Sequence, residues 1–90
     1  MDFEYDEQKS ESNKIKHGID FEEAKAIWND EHSREFSTRS DDENRFLVIG
    51  RIEGVLWTAV ATYRDERTRI ISVRRSRLRE IEEYDNRKGI

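Results

Sequence analysis

The sequence contains neither cysteine nor proline, and only four of its 90 residues are glycine. The absence of cysteine excludes a disulfide framework and thiolate chemistry, and it fits a reducing cytoplasm. No apolar run approaches the ~20 residues of a membrane span, and the acidic N-terminus is unlike a signal peptide. Because neither a Ser/Gly-rich linker nor an internal repeat is present, we expect a single cytoplasmic domain over residues 1–90 with no membrane partner.

Apolar side chains are also scarce, at 33% of the chain against 42% charged residues. A chain of this size buries only roughly 60–65% of its unfolded surface, so the core must be small. Two Trp, four Phe and three Tyr are expected to supply much of the burial, with Trp57 and Tyr63 in the core rather than stacked on bases. We therefore expect marginal stability, or burial against a partner.

Positive charge is concentrated in one segment. Residues 67–79 contain six arginines and no acidic residue, although the chain has a net charge of −4. Residues 1–63 carry 8 basic and 15 acidic side chains, a net charge of −7, whereas residues 64–90 carry 9 and 6, a net charge of +3. An acidic protein has no general need for such a segment, which predicts that part of it contacts a phosphate backbone.

Capping residues mark two helices in the N-terminal third. Asp6 can accept from the free amides of a first turn, which predicts a polar helix over residues 7–17 that ends at Gly18. Asp20 and Glu23 have the spacing of a capping box, which predicts a second helix. The side chains on one face of that helix are apolar: Phe21, Ala24, Ile27 and Trp28. We expect this face to lie on the core.

Alternating patterns predict five strands. Two of them are short: an edge strand within Met1–Tyr5 and a second strand at Arg34–Thr38, which a loop over residues 39–44 follows. Three are stronger: Arg45–Ile52, Val55–Arg64 and Thr68–Arg74. Two-residue turns, at Glu53-Gly54 and Asp65-Glu66, would join these three strands as antiparallel hairpins.

One face of the predicted sheet is aromatic and aliphatic, and the other carries arginines. We expect helices on the apolar side, including a last helix over residues 77–87 that Ser76 caps. The open side would carry Arg45, Arg51 and Arg64, with Thr58 and Thr62 between them. A two-residue turn puts Arg69 on this side and a three-residue loop puts Arg74 there, so the two arginines are predicted to point to opposite faces.

Several segments match the pattern of one known family, in order along nearly the whole chain. They are Asn13–Ala24, Asp6 with Lys9, Glu43 with Arg45, Ile49-Gly50, Arg69–Arg75, and Glu80 with Tyr84. In these segments the chain resembles the BrnT toxins. It departs from them at Val73 and Ser76, where alanine is usual, and neither departure touches a charged position.

The resemblance implies an α+β, RelE-like fold in which two N-terminal helices and a C-terminal helix pack on a small antiparallel sheet. It implies a ribonuclease that blocks translation, and a BrnA-like antitoxin with a ribbon-helix-helix DNA-binding region. It also implies a heterotetramer of two toxins and two antitoxins, which represses its own operon by binding operator DNA through the antitoxin.

Our hypothesis, which depends on this resemblance, is cleavage of RNA through the ribose 2′-OH, without a metal or another cofactor. Arginine suits the phosphorane-like transition state because its planar fork holds phosphate oxygens and its charge does not titrate. The candidates are Arg45, Arg64, Arg69 and Arg74 for phosphate, and His17, Glu80 and Tyr84 for proton transfer. An arginine in an electropositive pocket is a further candidate for the base.

Simpler interpretations exist for each candidate. His17 can cap the first helix beside Gly18, and Glu80 and Tyr84 can anchor the last helix. The strand arginines can pair with acids on a solvated sheet, whereas Arg75, Arg77 and Arg79 can decorate the helix start or meet an acidic partner. The rival function is a non-catalytic adaptor that binds an antitoxin-like protein. The net charge disfavours a plain nucleic-acid-binding module.

Overall fold

Five strands form one sheet: β1 (Phe3–Glu4), β2 (Arg34–Ser37), β3 (Arg45–Ile52), β4 (Val55–Arg64) and β5 (Arg67–Arg75). In the computed structural model, which describes residues 1–38 and 44–88, their spatial order is β1-β5-β4-β3-β2. The long strands pair antiparallel as predicted, but β1 pairs parallel with β5, so the sheet is mixed. The predicted loop lies at residues 39–43 outside the described residues.

Three helices accompany the sheet: α1 (Glu7–His17), α2 (Phe21–Ala24), which a 3₁₀ helix (Lys25–Asn29) continues, and α3 (Leu78–Lys88). The predicted caps of α1 and α2 are confirmed, but Ser76 does not directly precede α3: that helix begins at Leu78, and the Ser76 hydroxyl bonds the Thr58 hydroxyl. The Asp6 carboxylate accepts from two amides of the first turn, and Gly18 ends α1 with φ 83°. Asp20 and Glu23 form the reciprocal capping box. Within the described part of the chain, no helix is long and apolar enough to cross a membrane.

Both predicted hairpin turns are present, and their conformation fits the twist of the strands. Glu53 and Gly54 have φ values of 48° and 85°, and Asp65 and Glu66 have 51° and 66°. Two consecutive residues with positive φ are the signature of a type I′ turn, which matches the right-handed twist of the flanking strands. The second turn forms without glycine, so sheet pairing holds its two acidic residues in a region that such residues rarely occupy.

The core lies between the apolar face of the sheet and the segment that contains α2. The sheet contributes Phe46, Val48, Ala59, Ala61, Ile70 and Val73, and the other layer contributes Ile19, Phe21, Ala24 and Ile27. The 3₁₀ helix approaches β3 so closely that a Cβ at Gly50 would lie 2.5 Å from the carbonyl oxygen of Ile27. Tyr63, predicted in the core, is 59% exposed, because it lies at the end of β4 and covers Phe46 from outside.

A β-bulge in β5 changes which side chains share a face. Arg69 pairs with Thr62 and Arg74 pairs with Thr58, but Ile71 has no partner in β4. The extra residue shifts the alternation of side chains in β5 by one position. Arg69 and Arg74, which lie on either side of it, therefore point to the same face of the sheet. The prediction that they point to opposite faces is therefore wrong, because it assumed an uninterrupted strand.

The prediction that all helices cover one side of the sheet is also wrong. Residues of α3 contact Thr58, Arg74 and Arg34, which belong to the face opposite the core. The buried side chains of α3 are Glu80 and Tyr84, so this side of the helix is partly polar. A buried carboxylate needs polar partners, which the arginine-bearing face offers and the apolar core does not. Consequently α3 covers one end of that face and leaves the other end uncovered.

A buried amide joins α1 to β5. The Asn13 side chain, 7% exposed, donates to the carbonyl oxygens of Ile19 and Val73 at 2.8 and 2.9 Å, and it accepts from the Val73 amide at 3.2 Å. The Asn13 amide thus forms both hydrogen bonds that a neighbouring strand would form with Val73, at a part of the β5 edge that the two residues of β1 do not reach. This contact holds the polar helix α1 in place, although its single aliphatic residue, Ile15, is 88% exposed.

Candidate functional site

Three arginines from adjacent strands meet at the uncovered end of the sheet. Arg45 of β3 and Arg69 of β5 both pair with Thr62 of β4, so the two arginines flank one threonine on the sheet. Arg64 lies two residues further along β4 and therefore points to the same face. The structure thus brings together three of the four arginines that the sequence singled out for phosphate.

These residues surround a depression of about 400 Å³, which we call the arginine cleft. The described residues that line it are Lys9, Asn44, Arg45, Thr62, Tyr63, Arg64, Arg69 and Ile71. Four of them are cationic, and no carboxylate is among them. The Thr62 hydroxyl donates to the carbonyl oxygen of Asn44 at 3.0 Å, which fixes the chain where it enters β3. The electrostatic character of the cleft suits a phosphate group.

One carboxylate lies beside the cleft and touches one of its arginines. Glu4 of β1 is the cross-strand partner of Arg69, and its carboxylate accepts from one guanidinium nitrogen at 2.8 Å. Both side chains are largely buried, with 23% of Glu4 and 29% of Arg69 exposed. The contact restricts the rotamers of Arg69 and leaves other N–H groups of its fork for a ligand.

The fourth arginine, Arg74, has a different environment. Its two terminal nitrogens donate to the two carboxylate oxygens of Glu80 at 2.6 and 2.7 Å. Glu80 also accepts from the Thr58 hydroxyl and the Arg77 amide. Burial alone would raise the pKa of Glu80, but these donors, Arg74 first among them, outweigh burial and hold that pKa below its ordinary value. Arg74 and Glu80 thus anchor the first turn of α3.

Tyr84 anchors the same helix one turn further on. It is 1% exposed, and its hydroxyl donates to Asp30 at 2.8 Å. Burial raises the pKa of Tyr84, and the hydrogen bond to Asp30 raises it further. For Asp30, burial opposes ionisation, but donation from the amides of His32 and Arg51 and from Tyr84 lowers its pKa. The contacts are those of a helix anchor, and a catalytic role of Tyr84 stays a prediction.

His17 is exposed in the last turn of α1, directly before Gly18. This is the position that helix capping predicts. His17 does not line the arginine cleft, and neither do Glu80 and Tyr84. The structure therefore does not bring the three candidates for proton transfer together with the three clustered arginines.

Sequence reasoning missed Glu4 and Lys9 as residues of this site. Lys9 lies in the first turns of α1 and reaches the cleft because Asn13 holds that helix against β5. A signal was present, since Lys9 belongs to a matched segment of the family pattern. Glu4 gave no signal of its own, because its place depends on the parallel pairing of β1 with β5, which joins residues 65 positions apart.

Within residues 1–38 and 44–88, no group of three or more His, Asp, Glu or Cys side chains is placed to hold a metal ion. Metal-independent chemistry stays a prediction.

Comparison with known protein families gives a match. The family described as "Ribonuclease toxin, BrnT, of type II toxin-antitoxin system" matches residues 5–80 of the chain. The matched region includes β2–β5, all four cleft cations and Glu80. A search of curated proteins found no significant match.

Proposed function

The chain belongs to the BrnT family of ribonuclease toxins of type II toxin–antitoxin systems, and we propose that it cuts RNA in the arginine cleft. The observation that carries the proposal is the row formed by Arg45, Thr62 and Arg69, which places two arginines on either side of one point on an accessible sheet face. A scissile phosphate held there contacts both guanidinium forks, and Arg64 lies within the same depression.

The proposed reaction needs no metal. The 2′-OH of the ribose gives its proton to a base as its oxygen bonds to the adjacent phosphorus, and negative charge grows on the non-bridging oxygens. The bond from phosphorus to the 5′-oxygen then breaks, which leaves a 2′,3′-cyclic phosphate and a 5′-hydroxyl that has taken up a proton. Arg45 and Arg69 stabilise the growing charge more strongly than the charge of the ground state, which is the condition for acceleration. Because Glu4 already holds the Arg69 side chain in place, little conformational entropy of that side chain is lost when RNA binds.

The leaving 5′-oxygen needs a proton donor. Of the described residues that line the cleft, Lys9 and Tyr63 can exchange a proton. The Tyr63 hydroxyl already donates to Glu35 at 3.2 Å, and burial, followed by the charge of Glu35, raises its pKa. Lys9 is therefore our candidate for the proton donor to the leaving oxygen.

The family brings a protein antitoxin as a partner. We propose that this partner is BrnA-like, with a ribbon-helix-helix region that dimerises and joins two toxins into a heterotetramer. The complex would bind operator DNA through the antitoxin and repress its own operon, and the free toxin would inhibit translation in the cytoplasm by destroying RNA. The RelE-like fold belongs to the same proposal.

Purified chain freed of antitoxin tests the activity. We expect it to cut RNA equally with and without a chelator, and we expect Arg45→Ala and Arg69→Ala each to lose about 10²-fold or more of the rate. Arg75→Ala is the matched control, because Arg75 is an exposed arginine on the opposite face, where it stacks on Trp57.

Two outcomes would contradict the proposal. If folded wild-type protein never cuts RNA, the non-catalytic adaptor becomes the better interpretation. If the wild type cuts RNA and both cleft variants retain full activity, then the enzyme is real but the arginine cleft is not its active site.

A further inference from the structure

A groove separates α3 from β2 and β3. Its sheet side consists of Phe36 and Leu47, which are cross-strand partners and half-buried. Its helix side consists of Arg77, Arg79, Glu80 and Glu83, and its volume is about 550 Å³. None of these described lining residues also lines the arginine cleft. The groove is thus a second feature of the same sheet face.

The rim of the groove is positive. Its two carboxylates already have cationic partners: Glu80 binds Arg74, and Glu83 lies 3.7 Å from Arg34. Arg77 and Arg79 differ, because no carboxylate among the described residues forms an ion pair with either of them. Their charges are therefore available to an acidic ligand.

The floor of the groove is apolar in a chain that is only 33% apolar. Phe36 and Leu47 remain half-buried although such a chain has few large apolar side chains for its core. A pocket with an apolar floor and a charged rim is the arrangement that receives an anchor side chain of a protein partner. The two arginines and the Phe36 ring would also suit nucleic acid, but the aliphatic side chain of Leu47 favours an apolar side chain of a protein.

We propose that this groove binds a segment of the antitoxin that carries an apolar side chain flanked by carboxylates. The apolar side chain covers Phe36 and Leu47, and the carboxylates pair with Arg77 and Arg79. This proposal rests on the protein antitoxin of the family and not on the position of the cleavage site.

The location also explains how binding would silence the enzyme. Leu47 is the next residue after Arg45 that points to the same face of β3, roughly 7 Å along the strand. A segment that fills the groove therefore ends beside the arginine cleft. From there it shields the cleft from RNA without contacting the three cleft arginines.

Variants of the full chain test the groove. Arg79→Glu reverses one rim charge, and it should fold because an acidic residue is favourable in the first turn of α3. Phe36→Ala removes half of the apolar floor. Lys16→Glu and Ile15→Ala are the matched controls, since they make comparable changes at exposed positions of α1. Affinity for the full-length cognate antitoxin is measured by calorimetry, and RNA cleavage is measured on the free variants.

We expect Arg79→Glu and Phe36→Ala each to bind the antitoxin at least tenfold more weakly, with both controls within twofold of wild type. RNA cleavage by the free groove variants should stay unchanged. If only the α1 variants lose affinity, the antitoxin occupies α1 and the proposal is wrong. If Arg79→Glu loses cleavage but keeps antitoxin affinity, the groove guides RNA instead, which also overturns it.

Circular dichroism melting separates binding from folding, and Arg79→Glu alone decides the question if Phe36→Ala fails to fold. The antitoxin measurement needs no enzymatic activity. A failure of the proposed ribonuclease site therefore leaves the groove testable, and a failure of the groove leaves the ribonuclease assay intact.

Discussion

Arg69 and Arg74 belong to the same strand and the same face, yet their surroundings assign them different tasks. Arg69 gives one nitrogen to Glu4 and keeps the rest of its fork toward the cleft. Arg74 gives both terminal nitrogens to Glu80, which is 8% exposed. An arginine whose fork is already filled by a carboxylate is poorly placed to bind a phosphate. The different partners of the two arginines are therefore our reason to expect different roles for them.

We expect Arg74→Met to destabilise the protein without disabling the cleft. The substitution leaves the Glu80 carboxylate buried without its cation, which should cost about 2–3 kcal/mol and lower Tm by more than about 10 °C. Thermal unfolding measures the loss. Arg67→Met, which removes an exposed arginine of the same strand, should change stability by less than about 0.5 kcal/mol.

A second variant and an activity assay distinguish an anchor from a catalytic residue. Arg74→Met combined with Glu80→Leu should recover much of the lost stability, because a buried ion pair can be replaced by apolar groups at little cost. Well below its Tm, Arg74→Met should cut RNA at close to the wild-type rate. A folded but inactive Arg74→Met protein would instead give Arg74 a part in the reaction.

At the scale of elements, α3 stands apart because polar contacts hold it on the sheet. Glu80 provides one of these contacts in the first turn of α3, and Asp30, which binds Tyr84, provides another one turn further on. The pKa of each carboxyl is lower in the folded protein than its ordinary value of 4.5 or 3.8. The unfolded chain therefore takes up more protons as the pH falls, which favours unfolding.

We expect α3 to be the acid-sensitive element. The stabilisation from Glu80 is fully present above about pH 4.5 and is lost as the pH falls through the lowered pKa of the folded state. Tm measured from pH 7 to pH 3 should therefore fall less steeply for Glu80→Gln than for wild type. Glu82→Gln, an exposed change on the same helix, should leave the slope unaltered. Equal slopes for wild type and Glu80→Gln would refute this origin of the acid sensitivity.

The elements also differ in how well their sequence predicts them. The caps at Asp6, Gly18 and Asp20 and the two hairpin turns were predictable, because each is encoded within a few neighbouring residues. The bulge at Ile71 has no such local signal, since no glycine marks it, and it appears only when β4 and β5 are paired. The side on which α3 packs depends on partners such as Thr58 and Arg34, far away in the sequence.

The candidate site was partly predictable for the same reason. Arg45 and Arg64 follow from strand parity, which is local, and Arg69 follows once the turn has two residues. The parallel strand that supplies Glu4 and the docking of α1 that supplies Lys9 both join distant parts of the chain. Long-range contacts of this kind leave no periodicity in the sequence.

At the scale of the whole molecule, the protein is an acidic chain with a positive face. Its net charge is −4, but Lys9, Arg45, Arg64 and Arg69 line one cleft. Such an arrangement repels RNA from most of the surface and concentrates attraction at one end of the sheet. The electrostatic field of the protein thus begins to orient the RNA before the two molecules touch.

We expect RNA binding to depend on salt in proportion to the cleft cations. For single strands the logarithm of the binding constant falls by roughly 0.7 per neutralised phosphate, so three to four contacts predict a slope of about −2 to −3 against the logarithm of salt concentration. An RNA oligomer with 2′-O-methyl groups, which cannot be cut through the 2′-OH, allows equilibrium titration.

The variants make the salt measurement specific to the cleft. Arg64→Ala should reduce the steepness of the slope by about 0.7, whereas Lys16→Ala, an exposed change on α1, should leave it alone. If both substitutions change the slope equally, RNA is attracted by the general surface rather than by the arginine cleft.

The contacts between the two ends of the chain have a consequence for its synthesis. Glu4 meets Arg69 across 65 positions, and Asn13 meets Val73 across 60. A ribosome releases the N-terminal residues first, so Glu4 and Lys9 wait for β5 before they can take their places. A nascent chain that has not yet released β5 therefore has no assembled arginine cleft. We therefore expect the messenger that encodes this ribonuclease to be safe from its own product until the ribosome has made and released β5.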